Sequence, residues 1–66
     1  MPNFVCEISN NKVTSCSQSE DEFNYSGVSF QYFLGPDDRP TEILIIADNE
    51  KDASIKAQAQ IDKDYP

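Results

Sequence analysis

The sequence predicts an α+β fold: a three- to four-stranded antiparallel sheet made of two hairpins, with one C-terminal helix packed on one face. Three features carry this reading. Apolar residues recur at every second position over Phe4–Ile8 (Phe4, Cys6, Ile8) and again over Val28–Leu34 (Val28, Phe30, Tyr32, Leu34). Turn-forming residues interrupt the alternation at Asn10-Asn11 and at Gly35-Pro36-Asp37-Asp38-Arg39-Pro40. Beyond Asp48 the composition changes to alanine, glutamine and lysine, which favour helix over strand.

The first hairpin spans Asn3 to Cys16. Phe4, Cys6 and Ile8 alternate with Val5, Glu7 and Ser9, and Asn10-Asn11 tolerate the positive φ that a two-residue turn requires. The returning strand starts at Lys12, and two registers place either Ser15 or Cys16 opposite Cys6. Ser17 to Glu22 is polar and charged and reads as a loop, with Phe23 and Tyr25 as a possible short extra strand. Val28 to Leu34 is the strongest strand, with Val28, Phe30, Tyr32 and Leu34 on one face. Phe33 then points the other way and needs separate cover: a loop, the far face of the sheet or a partner.

Thr41 to Ala47 forms the last strand. Its run Ile43-Leu44-Ile45-Ile46 calls for burial on both faces, or for one face at an oligomer interface. From Asp48 to Tyr65 the residues alternate as in a strand, yet helix propensity summed over the window outweighs that pattern. Asn49 is the expected N-cap, with acids in the first turn, and Ala53, Ala57 and Ile61 make an apolar stripe. The expected core is Phe4, Ile8, Val13, Val28, Phe30, Tyr32, Leu34, Ile43, Ile45, Ala57 and Ile61, all within one small domain covering residues 1–66.

Twelve acidic residues against five basic ones, with no histidine, give a net charge of −7. Nucleic acid and anionic membranes are therefore poor partners, since binding them displaces counterions with cationic surface. A basic protein is the electrostatically favoured partner. No apolar run approaches the roughly 20 residues of a membrane helix, and Met1 to Cys6 lacks the basic and apolar regions of a secretory signal. A cytoplasmic protein is expected, and with it reduced thiols at Cys6 and Cys16.

No pattern points to an enzyme, a cofactor or a metal. The two cysteines have no histidine base and no zinc spacing. Asp48, Glu50 and Asp52 resemble the start of a calcium loop, but Ala53 and Ala59 stand where that loop needs glycine and a bidentate acid. A chain this short is also expected to lack a ligand cavity of about 300 Å³ or more. The sequence therefore suggests a small non-catalytic binding protein. Its interaction residues would be Glu20, Asp21, Glu22, Asp37, Asp38, Asp48, Glu50 and Asp52 with the aromatic Phe33. One form of that role is an inhibitor of the phage or mobile-element type that occludes a basic, nucleic-acid-binding surface. The alternative is a structural module that self-associates as a homodimer through Ile43–Ala47 or Phe33; either way the chain is a monomer or a homodimer.

Overall fold

The computed structural model describes residues 2–66. It contains β1 (Asn3–Ser9), β2 (Lys12–Ser19), β3 (Phe30–Leu34), β4 (Pro40–Ile46) and α1 (Glu50–Asp64). The strands form one antiparallel sheet in the order β2-β1-β4-β3, with α1 over one face. The α+β architecture expected from the sequence is the one observed.

Asn10 and Asn11, at φ 51° and 62°, turn β1 into β2. Both registers anticipated for this hairpin occur in succession. Next to the turn Ile8 faces Val13, whereas beyond it Glu7 faces Ser15 and Cys6 faces Cys16. Thr14 is the extra residue of the bulge, and its Oγ1 donates to the Glu7 carbonyl at 3.3 Å. The second hairpin repeats the device. Phe33 faces Glu42 but Leu34 faces Pro40, leaving Thr41 extra, and Thr41 Oγ1 donates to the Phe33 carbonyl at 3.1 Å. Gly35 closes the turn against Thr41: a β-carbon there would lie 3.0 Å from Thr41 Cγ2.

The bulge has a chemical consequence. By shifting the register one residue, it puts Cys16 rather than Ser15 opposite Cys6, and the two sulfurs are bonded with the α-carbons 4.0 Å apart. The expectation of two reduced thiols is thus corrected. A bridge closing a loop of this length contributes about 3 kcal/mol in the chain-entropy model.

Other expectations change at the sheet edges. β2 runs on to Ser19, because Ser17, Gln18 and Ser19 pair with Val5, Phe4 and Asn3 instead of entering a loop. Phe23 and Tyr25 form no strand. Residues 20–29 must carry the chain from one edge of the sheet to the other, across β1 and β4. They do so on the face away from the helix, where Asn3 Nδ2 donates to the Asp21 carbonyl (2.9 Å) and the Asn24 N–H donates to Gln31 Oε1 (2.9 Å).

Phe4, Cys6, Ile8, Ile43 and Ile45 form the sheet side of the core, and Ala53, Ala57 and Ile61 close it from the helix. These alanines let α1 lie close to the strands. It covers β2, β1 and β4 but stops short of β3. Val28 and Leu34, expected in the core, are therefore 37% and 52% exposed. Leu44 points away from the helix yet is only 1% exposed, beneath the face that the crossing loop occupies. The isoleucine-rich strand is the central β4, covered on both faces, so Ile43–Ala47 is not available as a dimer interface.

Gln58 ties helix to sheet. Its Oε1 accepts the Val13 N–H (2.9 Å) and its Nε2 donates to the Asn11 carbonyl (3.0 Å), so one side chain serves two backbone groups of the first hairpin. A part-buried backbone group left without its partner costs about 1–3 kcal/mol. Gln58→Ala should therefore lower unfolding free energy by about 1–2 kcal/mol in urea titrations with the disulfide intact. An unchanged midpoint would show that water replaces the glutamine at no cost.

Candidate functional site

The sheet order sorts the expected interaction residues into two groups. The C-terminal end of β2, the N-terminal end of β1 and the C-terminal end of β4 lie side by side, since Asn3 faces both Ser19 and Ile46. Glu20, Asp21 and Glu22 leave that end from β2, and Asp48, Glu50 and Asp52 leave it from β4 and the helix start. Lateral hydrogen bonds hold the segments together: Asn3 to the Asp21 carbonyl, and the Ala47 N–H to the Pro2 carbonyl at 3.3 Å. Asp37 and Asp38 lie at the opposite end, in the β3–β4 turn beyond Phe33. The acids nominated from the sequence thus do not form one surface.

Several of them also have structural work. Asp52 donates its N–H to Oδ1 of the N-cap Asn49 (2.8 Å), accepts the N–H of the preceding Asp48 (3.0 Å) and pairs with Lys56 at 3.1 Å. The Asp48 N–H, followed by Lys56, holds the Asp52 carboxyl below its usual range. Asp37 Oδ1 accepts the Arg39 N–H (3.2 Å), and Asp38 sits at φ 60°, which aspartate tolerates better than most residues.

The sheet assembles a cluster that no local pattern announces. Glu7 and Glu42 are directly opposite on β1 and β4, and Glu42 is directly opposite Phe33 on β3. Strand alternation places all three on the face away from the helix, beyond the part crossed by residues 20–29. Both glutamates are exposed and Phe33 is 37% exposed. Like charges directly opposite each other destabilise a sheet. Here the only relief is a 3.2 Å hydrogen bond from Ser15 Oγ to Glu7 Oε2, because Lys56–Asp52 is the sole ion pair among the described residues. Phe33 was singled out from the sequence. Glu7 and Glu42 were not, since 35 positions separate them in the chain and only the β1–β4 pairing brings them together.

A concavity lies on the helix side. Because α1 stops short of β3, a groove of about 520 Å³ opens between them, larger than the sequence led us to expect of so short a chain. Phe30, Ile45 and Ala59 line it with Lys56, Gln60 and Lys63. Its neighbouring latch joins the two elements: Tyr32 O–H donates to Asp64 Oδ2 (2.9 Å), and the Tyr32 and Tyr65 rings meet edge to face at 5.4 Å.

Among the described residues no three His, Cys, Asp or Glu side chains gather as a cation site, and no helix is long and apolar enough to cross a membrane. Comparison of the chain with family models, curated proteins and solved structures finds no match.

The latch has a pH signature. Hydrogen bonds from Gln60 and Tyr32 hold the Asp64 carboxyl below its usual range, while burial and then the Asp64 hydrogen bond push the Tyr32 phenol well above its ordinary value. A lowered carboxyl stabilises the fold above the unfolded-state pKa of about 4 and loses that effect as pH falls through the folded value. A raised phenol stabilises it below about pH 10 and loses that effect as pH rises beyond. Melting temperature should therefore decline on both sides. Tyr32→Phe should flatten the alkaline limb, and an alkaline limb unchanged in that variant would refute the latch.

Proposed function

We propose that this chain is a small non-catalytic binding protein that takes a basic protein partner through the open face of its sheet. The single observation that carries the proposal is the Glu7–Glu42 pair beside the exposed Phe33. Two facing carboxylates without a cation are a standing electrostatic cost to the free protein, and a lysine or arginine from outside relieves it. The same side chain gains from the face of Phe33, since a cation over an aromatic ring is worth about 0.5–1 kcal/mol at an exposed site. Asp37 and Asp38 flank the row from the adjoining turn. Glu20–Glu22 and Asp48–Asp52 lie at the far end of the sheet and act at longer range by steering a cationic surface towards the molecule.

An inhibitor that occludes a nucleic-acid-binding groove is one form of this activity. Nothing in it requires an active site, a cofactor or a metal. Cytoplasmic residence belongs to the same proposal, and the Cys6–Cys16 bridge is where it is tested. A bridge that opens in a glutathione buffer at cytosolic poise is the outcome this reading expects; one that persists counts against it.

The site predicts a difference between two variants that each remove two charges. Glu7→Gln with Glu42→Gln should raise stability by a few tenths of a kcal/mol, through relief of the facing charges. It should also weaken binding of an arginine-rich decapeptide by about tenfold, or 1.4 kcal/mol. Glu20→Gln with Glu22→Gln should mainly slow association. Titrations at low and high salt should show the wild-type affinity falling with salt. Equal losses from the two variants would mean that net charge alone attracts the peptide.

A further inference from the structure

We propose that the outer edge of β3 is a self-association surface, occupied by β3 of a second copy of this chain in antiparallel pairing about a two-fold axis. The inference rests on the backbone edge of β3 and on Leu34 and Phe30, and does not use the Glu7–Glu42 pair; Phe33 is the one residue that both surfaces share.

The first observation is where the charge is missing. The fourteen residues from Phe23 to Pro36 contain no Asp, Glu, Lys or Arg, although the rest of the chain carries seventeen such residues. That stretch ends in β3, an edge strand with no neighbour beyond it among the described residues. The two edges of the sheet are built differently. β2 begins with Lys12 and takes the bulged Thr14 on itself, both of which discourage pairing with another chain, and is otherwise rich in serine, threonine and glutamine. β3 reads Phe-Gln-Tyr-Phe-Leu and is regular, because the bulge of its hairpin falls on Thr41 of β4. Unpaired backbone groups on a regular, uncharged, apolar edge are a template for strand addition.

The second observation is exposure. Among the described residues five large apolar side chains are exposed, and four of them, Tyr25, Val28, Phe33 and Leu34, lie on this stretch; Leu34 is 52% exposed.

A symmetric register argues for a second copy as the occupant. Pairing centred on Tyr32, the middle of the strand, sets Phe30 opposite Leu34 of the other copy, and both side chains point to the helix face. Phe30 forms part of the groove between α1 and β3. The exposed leucine of each copy thus comes to the mouth of the apolar groove of the other, a self-complementary match that recurs twice by symmetry. The two-fold axis also directs the acidic strand ends of the two copies to opposite ends of the combined sheet. The net charge of −7 on each copy is thereby kept apart where it is densest.

Sedimentation velocity from micromolar to millimolar protein tests this, with Leu34→Lys and Ile55→Lys compared. Ile55 is also exposed, at 60%, but belongs to the helix and does not line the groove beside β3. The wild type should reach twice the 7.4 kDa chain mass, more readily as salt screens the repulsion between acidic copies. Leu34→Lys should raise the dissociation constant at least tenfold and Ile55→Lys should leave it unchanged. A wild type that stays monomeric at millimolar concentration overturns the proposal, as does equal weakening by the two lysines. Should Leu34→Lys misfold, amide exchange on the wild type decides: protection of residues 30–34 must rise with concentration, and concentration-independent exchange there overturns the pairing. The salt dependence is opposite to that of the basic-partner site, so failure of one is distinguishable from failure of the other.

Discussion

The strand order β2-β1-β4-β3 is the constraint on which the rest of the molecule depends. It places the two hairpins side by side through β1 and β4, so the link between them must travel three inter-strand spacings, about 14 Å, across one face. The helix has already taken the other face. The central β4 is consequently covered on both sides, which explains how a run of four large aliphatic residues is accommodated in so small a fold. The same crossing reaches only part of its face. What it leaves open is the Glu7, Glu42 and Phe33 row; what the helix leaves open on the other side is the groove beside β3. Both candidate surfaces are therefore remainders of one topological requirement.

Local periodicity and turn chemistry made most elements legible. The alternation in β1 and β3, the two asparagines at positive φ, the Asn49 cap and the Ala53–Ala57–Ile61 stripe all express physics confined to a few residues, and the structure realises each of them. Non-local facts were not legible. Whether Val28 and Leu34 are buried depends on how far the helix reaches across the sheet, and their apolar character says nothing about that. Whether Cys6 meets Ser15 or Cys16 depends on a bulge, whose only local sign is a threonine able to bond a carbonyl across the ladder. Compartment reasoning pointed to free thiols, while strand register brings the sulfurs together.

The candidate site shows the same division. Phe33 stood out because alternation forced it off the core face. The acids stood out by number, and number misleads here: Asp52 bonds to the N-cap of a helix and Asp37 braces a turn, whereas Glu7 and Glu42, which looked like ordinary solvent-facing strand residues, are the pair left facing each other. A carboxylate becomes informative through what lies across from it, and that is a property of the sheet.

The thinness of the core bears on what such a molecule does. Its helix contributes two alanines and one isoleucine to the interior, so apolar burial per residue is small. The Cys6–Cys16 bridge and the Gln58 link reinforce the same hairpin, at β1 and β2, from within and from the helix. β3 has no such cross-link; the Tyr32–Asp64–Tyr65 latch connects it to the helix, and no strand pairs with its outer edge among the described residues. The molecule is thus cross-linked at one edge and apolar at the other. The strand addition proposed at β3 would draw on this less reinforced side, whereas the proposed partner site spans from Glu7 on the reinforced hairpin to Phe33 on β3.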